Sequence, residues 1–156
     1  MPTLEDGKGS TPELTWIDGQ CHCARVKFSV ALTPRITITL CNCGICYMSG
    51  HEEIMVPEER FRLLEGREYL KEYRFDVAIA DHTFCSVCGI MPFYRPRSHP
   101  TGFFSVNARC LSAGRAIVNR AGDILNLGIG ETINYVEFDG QNWEDSMAFG
   151  KHLVTE

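Results

Sequence analysis

Seven of the eight cysteines fall in three groups: Cys21 and Cys23 in CHC, Cys41, Cys43 and Cys46 in CNCGIC, and Cys85 and Cys88 in CSVC. Two cysteines at C-x-x-C spacing on a tight turn can both point at one metal. Backbone N–H groups of the turn then donate to the sulfurs, and Gly89 permits a left-handed exit. In extended chain, residues i and i+2 share a side, so Cys21 and Cys23 can supply two more thiolates. Cys21, Cys23, Cys85 and Cys88 together make a four-sulfur tetrahedral set across a long stretch of chain. Zinc suits it, being soft enough for thiolate and redox-inert. Closing that long loop lowers the entropy of the unfolded chain and couples metal binding to folding.

The trio in CNCGIC is one ligand short of a second such site. Three convergent thiolates hold a zinc ion with a net charge of about −1, leaving the fourth position to water, another side chain or an external thiol. A filled position marks a structural zinc and an open one a catalytic zinc. A thiol bound there loses its proton to become a nucleophile at neutral pH without a dedicated base. His51, His82 and Cys110 are the side chains that could fill the position instead. Cys110, alone in VNARCL, reads as a small core residue. His22 lies between two ligands and is expected to face away from their metal. His51, His82 and His99 read as structural or solvent-exposed, and Glu52-Glu53 with Glu58-Glu59 as a solvated acidic surface.

The elements that must carry these groups are short. Arg25–Val30 and Arg35–Leu40 alternate with period two and read as strands joined through Thr33-Pro34. CNCGIC follows the second directly. Ile54–Val56 is stopped by Pro57, and PEERF opens like a helical turn. Tyr69, Tyr73 and Phe75 share one face of a predicted strand, and Val77–Phe84 continues as another. Ile90–Tyr94, Phe103–Val106 and Ile133–Phe138 read as further strands, Asp139-Gly140 as a turn, and Trp143–Phe149 as a short helix. The absence of βαβ alternation, internal repeats and a phosphate loop makes the class mainly β. Residues 1–13 read as a flexible lead-in and 14–156 as a single domain.

Composition narrows the function. The 156 residues suffice for a core without staples, so metal is not needed merely for size. A net charge of −5 argues against broad capture of nucleic acid or anionic membrane. No apolar run reaches transmembrane length, and residues 1–18 hold no signal-like stretch. The expected compartment is reducing, cytoplasmic or nuclear, where clustered cysteines are metal ligands or redox groups more often than disulfides.

GQCHCARVKFSV, CNCGIC, HTFCSVCGIMPFYRPRSHPTGFFSVNARCL and VEFDGQNWE, in that order, resemble the glutathione-dependent formaldehyde-activating enzyme family, closest to its centromere protein V branch. The resemblance spans roughly residues 18–150. It implies an Mss4-like fold of coiled antiparallel β-sheets with few short helices. It implies a structural zinc on Cys21, Cys23, Cys85 and Cys88, and a second zinc on Cys41, Cys43 and Cys46. The implied activity is that of a carbon–sulfur lyase joining glutathione, or another small thiol, to formaldehyde or another small electrophile. Within it, Arg95 and Arg97 are candidates for the thiol's carboxylates, because Arg presents a bidentate fork. Asn107 is a candidate for orienting substrate. The lead-in here is short and acidic where the centromere protein has a long basic extension, so no chromatin role is carried over.

Three functions compete. The first is a zinc-dependent, thiol-handling lyase. The second is a non-catalytic protein-interaction module with two structural zincs. The third is a redox sensor in which CNCGIC releases zinc and forms a disulfide. Edge strands in such a domain also leave a homodimer open.

Overall fold

The computed structural model describes residues 13–112 and 132–148. Residues 1–12 of the lead-in expected over 1–13, and Phe149 of the helix expected over Trp143–Phe149, lie outside the described residues. The described chain is mainly β. Strands β1 (Thr15–Gln20), β2 (Lys27–Leu32) and β5 (Phe61–Glu65) form one antiparallel sheet in the order β1-β2-β5. A second sheet, ordered β10-β3-β4-β9-β8, contains β3 (Arg35–Cys41), β4 (Glu53–Pro57), β8 (Phe93–Tyr94), β9 (Phe103–Asn107) and β10 (Thr132–Phe138). β6 (Leu70–Tyr73) and β7 (His82–Cys85) make a two-stranded ribbon. Helices α1 (Gly44–Ser49) and α2 (Trp143–Ala148) are each six residues long.

The core lies where the alternating patterns place it. Val26, Phe28 and Val30 are fully buried, with Ile36, Ile38, Ile54 and Val106 from the second sheet. Phe28 and Phe61 stack at 5.8 Å, and Phe93 meets both edge-on at 5.4 and 4.7 Å. Gly19 on β1 leaves room for that cluster: a Cβ there would lie 2.4 Å from the Phe28 ring.

Several boundaries differ from expectation. β1 is a strand the periodicity does not announce, because only Ile17 and Gly19 point inward while Trp16 is exposed beneath Arg62. PEERF forms a 3-10 turn over Glu58–Arg60. Tyr69 ends another such turn rather than sitting in a strand. Residues 74–81 are a loop, and only His82 onward is strand. Asp76 and Ala78 have φ of 54° and 56°, a left-handed backbone that ends a ladder. Pro92 has no N–H to give, which shortens the expected Ile90–Tyr94 strand to two residues.

β10 is decisive for the site. It runs parallel to β3 with Phe138 opposite Cys41. The end of the described chain is thereby delivered beside CNCGIC.

Candidate metal centres and the adjoining cavity

CHC and CSVC form two similar knuckles. Each follows a strand, β1 or β7. Cys21 N donates to Val26 O at 3.1 Å, and Cys85 N donates to Ile90 O at 2.9 Å. Each chain leaves through a left-handed residue, Ala24 at φ 64° and Gly89 at φ 78°. The N–H groups of Val26 and Val87 lie 3.4 Å from the sulfurs of Cys21 and Cys85. CHC is therefore a tight turn and not the extended chain expected, but its two sulfurs still converge. All four Sγ atoms lie within 4.8 Å of one another. The Cys21–Cys23 and Cys23–Cys85 pairs are 3.6 and 3.7 Å apart. A tetrahedron with zinc–sulfur bonds of about 2.3 Å has edges of ~3.8 Å, so the set fits zinc without rearrangement. Burial pushes the Cys21 thiol up to about 11, while the backbone N–H of Arg25 brings Cys23 down to about 6.

The second group is built by β3 and α1. Cys41 ends β3, Cys43 is the N-cap of α1, and Cys46 is that helix's buried residue. Gly50 at φ 68° closes the helix. The three sulfurs again lie within 4.8 Å, and among the described residues no fourth His, Cys, Asp or Glu joins them. Hydrogen bonds from the Cys41 and Cys46 thiols hold Cys43 down to about 2. The ionised Cys43 in turn raises Cys41 to about 12 and raises Cys46 as well, with Cys41 the larger cause for Cys46. One thiolate thus keeps its neighbours protonated, and full ionisation of the trio needs a dication among them. The donor set fits zinc.

β10 and the turn after it complete the surroundings. A Cβ on Gly140 would sit 2.4 Å from Cys41 Sγ and 3.0 Å from Cys43 Cβ. The Asn42 amide donates to Asp139 at 3.0 Å and accepts from Gln141 N at 3.1 Å. Sequence reasoning passed over Asn42 and Gly140; the only signal was that both lie in or beside turns of the matched blocks.

Behind the trio lies a buried polar chain. Tyr94 OH is 3.9 Å from Cys46 Sγ and 3.4 Å from Glu53 Oε2. Ser105 Oγ donates to the same carboxylate oxygen at 2.5 Å, and His51 Nε2 lies 2.9 Å from Ser105 Oγ. Burial lowers His51 to about 4 and lowers His82 too. Burial, with Glu53 and Cys46 nearby, raises Tyr94 well above the phenol range, so it stays protonated. Glu52 and Glu53 are both buried, against the solvated surface expected; only Glu58 and Glu59 are exposed. Strand pairing explains this, since Glu53 is opposite Thr39 on β3 and Asn107 on β9.

A cavity of about 170 Å³ adjoins the trio, with Glu53, His82, Tyr94, Arg97 and Trp143 among its walls. The candidate substrate residues separate here. Arg97 lines it, stacked 3.9 Å from the Trp143 ring and paired with Glu144 at 3.1 Å. Arg95 does not; it bonds Glu58 at 2.7 Å and Phe103 O at 3.1 Å while lying over Phe104. The Asn107 amide accepts from Arg109 N at 3.1 Å and donates to Met91 O at 3.3 Å, the pattern of a strand-end brace. Cys110 joins neither metal group and packs against the core. His22 is exposed. No described helix is long and apolar enough to cross a membrane.

Four convergent thiols and a second group of three, carried on a mainly β frame, are two clusters that could bind zinc. Residues 16–123 match the glutathione-dependent formaldehyde-activating enzyme family, and the chain belongs to that family, whose fold is Mss4-like. A crystal structure of a Rhodobacter sphaeroides protein, a structural-genomics target, is similar with a TM-score of 0.56 and 26% identity. The match covers 77% of this chain and 100% of that one.

Proposed function

We propose that this chain is a zinc-dependent carbon–sulfur lyase. It joins a thiol such as glutathione to a small aldehyde, or cleaves the adduct, at Cys41, Cys43 and Cys46. The observation carrying this reading is a trio without a fourth ligand among the described residues, placed against a cavity. Cys41, Cys43 and Cys46 would hold a zinc ion there, which would supply the charge needed to ionise a fourth sulfur.

The chain's own residues do the rest. Arg97 exchanges its exposed partner Glu144 for a carboxylate of the thiol, an inexpensive exchange because surface ion pairs contribute only ~0–1 kcal/mol. Trp143 keeps the guanidinium in place during the exchange. The sulfur attacks the carbonyl carbon, a carbon–sulfur bond forms, and the carbonyl π pair moves to oxygen. The proton given up by the thiol ends on that oxygen. Tyr94 is placed to donate a hydrogen bond to the developing alkoxide, because 3.4 Å is long for its bond to Glu53 and the hydroxyl can turn. Glu53, anchored by Ser105, orients the phenol.

Cobalt-substituted protein titrated with glutathione tests the reading. Wild type is expected to change its thiolate–cobalt absorption on adding thiol. Cys43→Ser is expected to lose that change while keeping the first site and the fold. Two filled sites with no spectral response to thiol would return the chain to the interaction-module reading.

A further inference from the structure

Resting on the lyase reading, we infer that the aldehyde taken by this site carries an apolar group about the size of one ring, bound against the loop over residues 74–81. Formaldehyde has two non-hydrogen atoms. The cavity of about 170 Å³ must also admit the thiol's sulfur, yet it exceeds the ~150 Å³ engineered cavity that encloses a benzene molecule. Its walls include Phe75, Val77 and Ala80 from the loop, with Ile45 and Phe138 beside the trio.

Phe75, Val77 and Ile79 are 44, 51 and 44% exposed on consecutive alternate positions. Asp76 and Ala78 both hold left-handed backbone; Asp tolerates it, but for Ala78 the conformation persists only where surroundings impose it, and such residues gather at ligand sites. The surroundings do impose it. Ala78 N bonds Phe75 O at 2.9 Å, Arg74 donates to Ala78 O at 3.2 Å, and Arg74 pairs with Asp81 at 3.1 Å. The Asp81 backbone is then tied to Arg95 at both N and O. Stacked rings brace it from within: Phe75 lies 5.3 Å from His82, which lies 4.5 Å from Tyr94 beside Cys46. Exposed apolar side chains on a braced, strained loop mark a ligand surface.

Charge decides which part of the adduct lies there. Asp76 lines the cavity between Phe75 and Val77, so this wall repels the carboxylates of a peptide thiol. Arg97, the cation lining the cavity, serves those carboxylates. The loop is left to an uncharged group, and the uncharged reactant is the aldehyde.

The test uses zinc-loaded protein with glutathione. It compares formaldehyde with phenylacetaldehyde, each as rate enhancement over its own uncatalysed adduct formation. The expected result is an enhancement at least about tenfold larger for phenylacetaldehyde, with Phe75→Ala and Val77→Ser each reducing that ratio about tenfold. Both side chains are half-exposed, so the fold survives either change. Acceleration of formaldehyde alone overturns the inference and leaves the lyase reading standing. A preference for the larger aldehyde that neither variant moves overturns the assignment to the loop. Acceleration of neither aldehyde removes the lyase reading itself.

Discussion

At the scale of single residues, contact with sulfur sets the tolerances. Gly140→Ala places a methyl 2.4 Å from Cys41 Sγ, which under the proposed reading cannot move without giving up its place as a zinc ligand. Zinc content is expected to fall by the second site's share while the first site keeps its metal, as measured by metal analysis after desalting. Tyr94→Phe removes the hydroxyl and little else. Turnover is expected to drop about 100-fold with zinc content unchanged, the cost of one lost donor to a developing oxyanion; unchanged turnover would remove Tyr94 from the mechanism. The cysteines were legible in the sequence because metal spacing is local and thiols are scarce. Glu53 was not. Its partners Tyr94, Ser105 and His51 come from distant segments, and a run reading HEE resembles solvated surface until strand pairing buries it.

At the scale of elements, the knuckle after β1 depends on a close approach from β5's end. Gly66 has φ 92°, and a Cβ there would lie 2.1 Å from Arg25 O. Gly66→Ala is expected to destabilise by at least about 1–3 kcal/mol and to speed zinc release from Cys21, Cys23, Cys85 and Cys88. Denaturant unfolding and competition with a chromophoric chelator would show both. The strands with two or three inward apolar residues were readable from alternation. β1 and α1 were not: β1 buries too little to show a period, and α1 is six residues shaped by its caps. Residues 74–81 looked like strand because apolar side chains alternate there, yet the left-handed backbone at Asp76 and Ala78 breaks the ladder.

At the scale of the whole molecule, buried histidines tie stability to pH. His51 titrates at about 4 in the fold and at 6.5 as a free side chain, so between these values the unfolded chain binds more protons. Its contribution is fully present above 6.5 and is lost as pH falls toward 4, amounting to roughly 3 kcal/mol; His82 adds in the same direction. Metal loss in acid acts likewise, so the comparison is with His51→Gln, whose stability is expected to fall less steeply between those pH values. Chelation at neutral pH is expected in two phases. The open trio would empty first without unfolding, and the four-sulfur site later with it. A single phase would contradict the two roles.

The pairing of β10 with β3 places Phe138 opposite Cys41 although nearly a hundred residues separate them. On a ribosome the trio emerges long before its cover does. A nascent chain therefore displays three thiols with neither Gly140 nor Trp143 beside them, able to capture metal but not to enclose a reactant. β10, made nearly a hundred residues after the trio, would turn that bare chelate into the shaped site proposed here, so metal capture would precede selectivity.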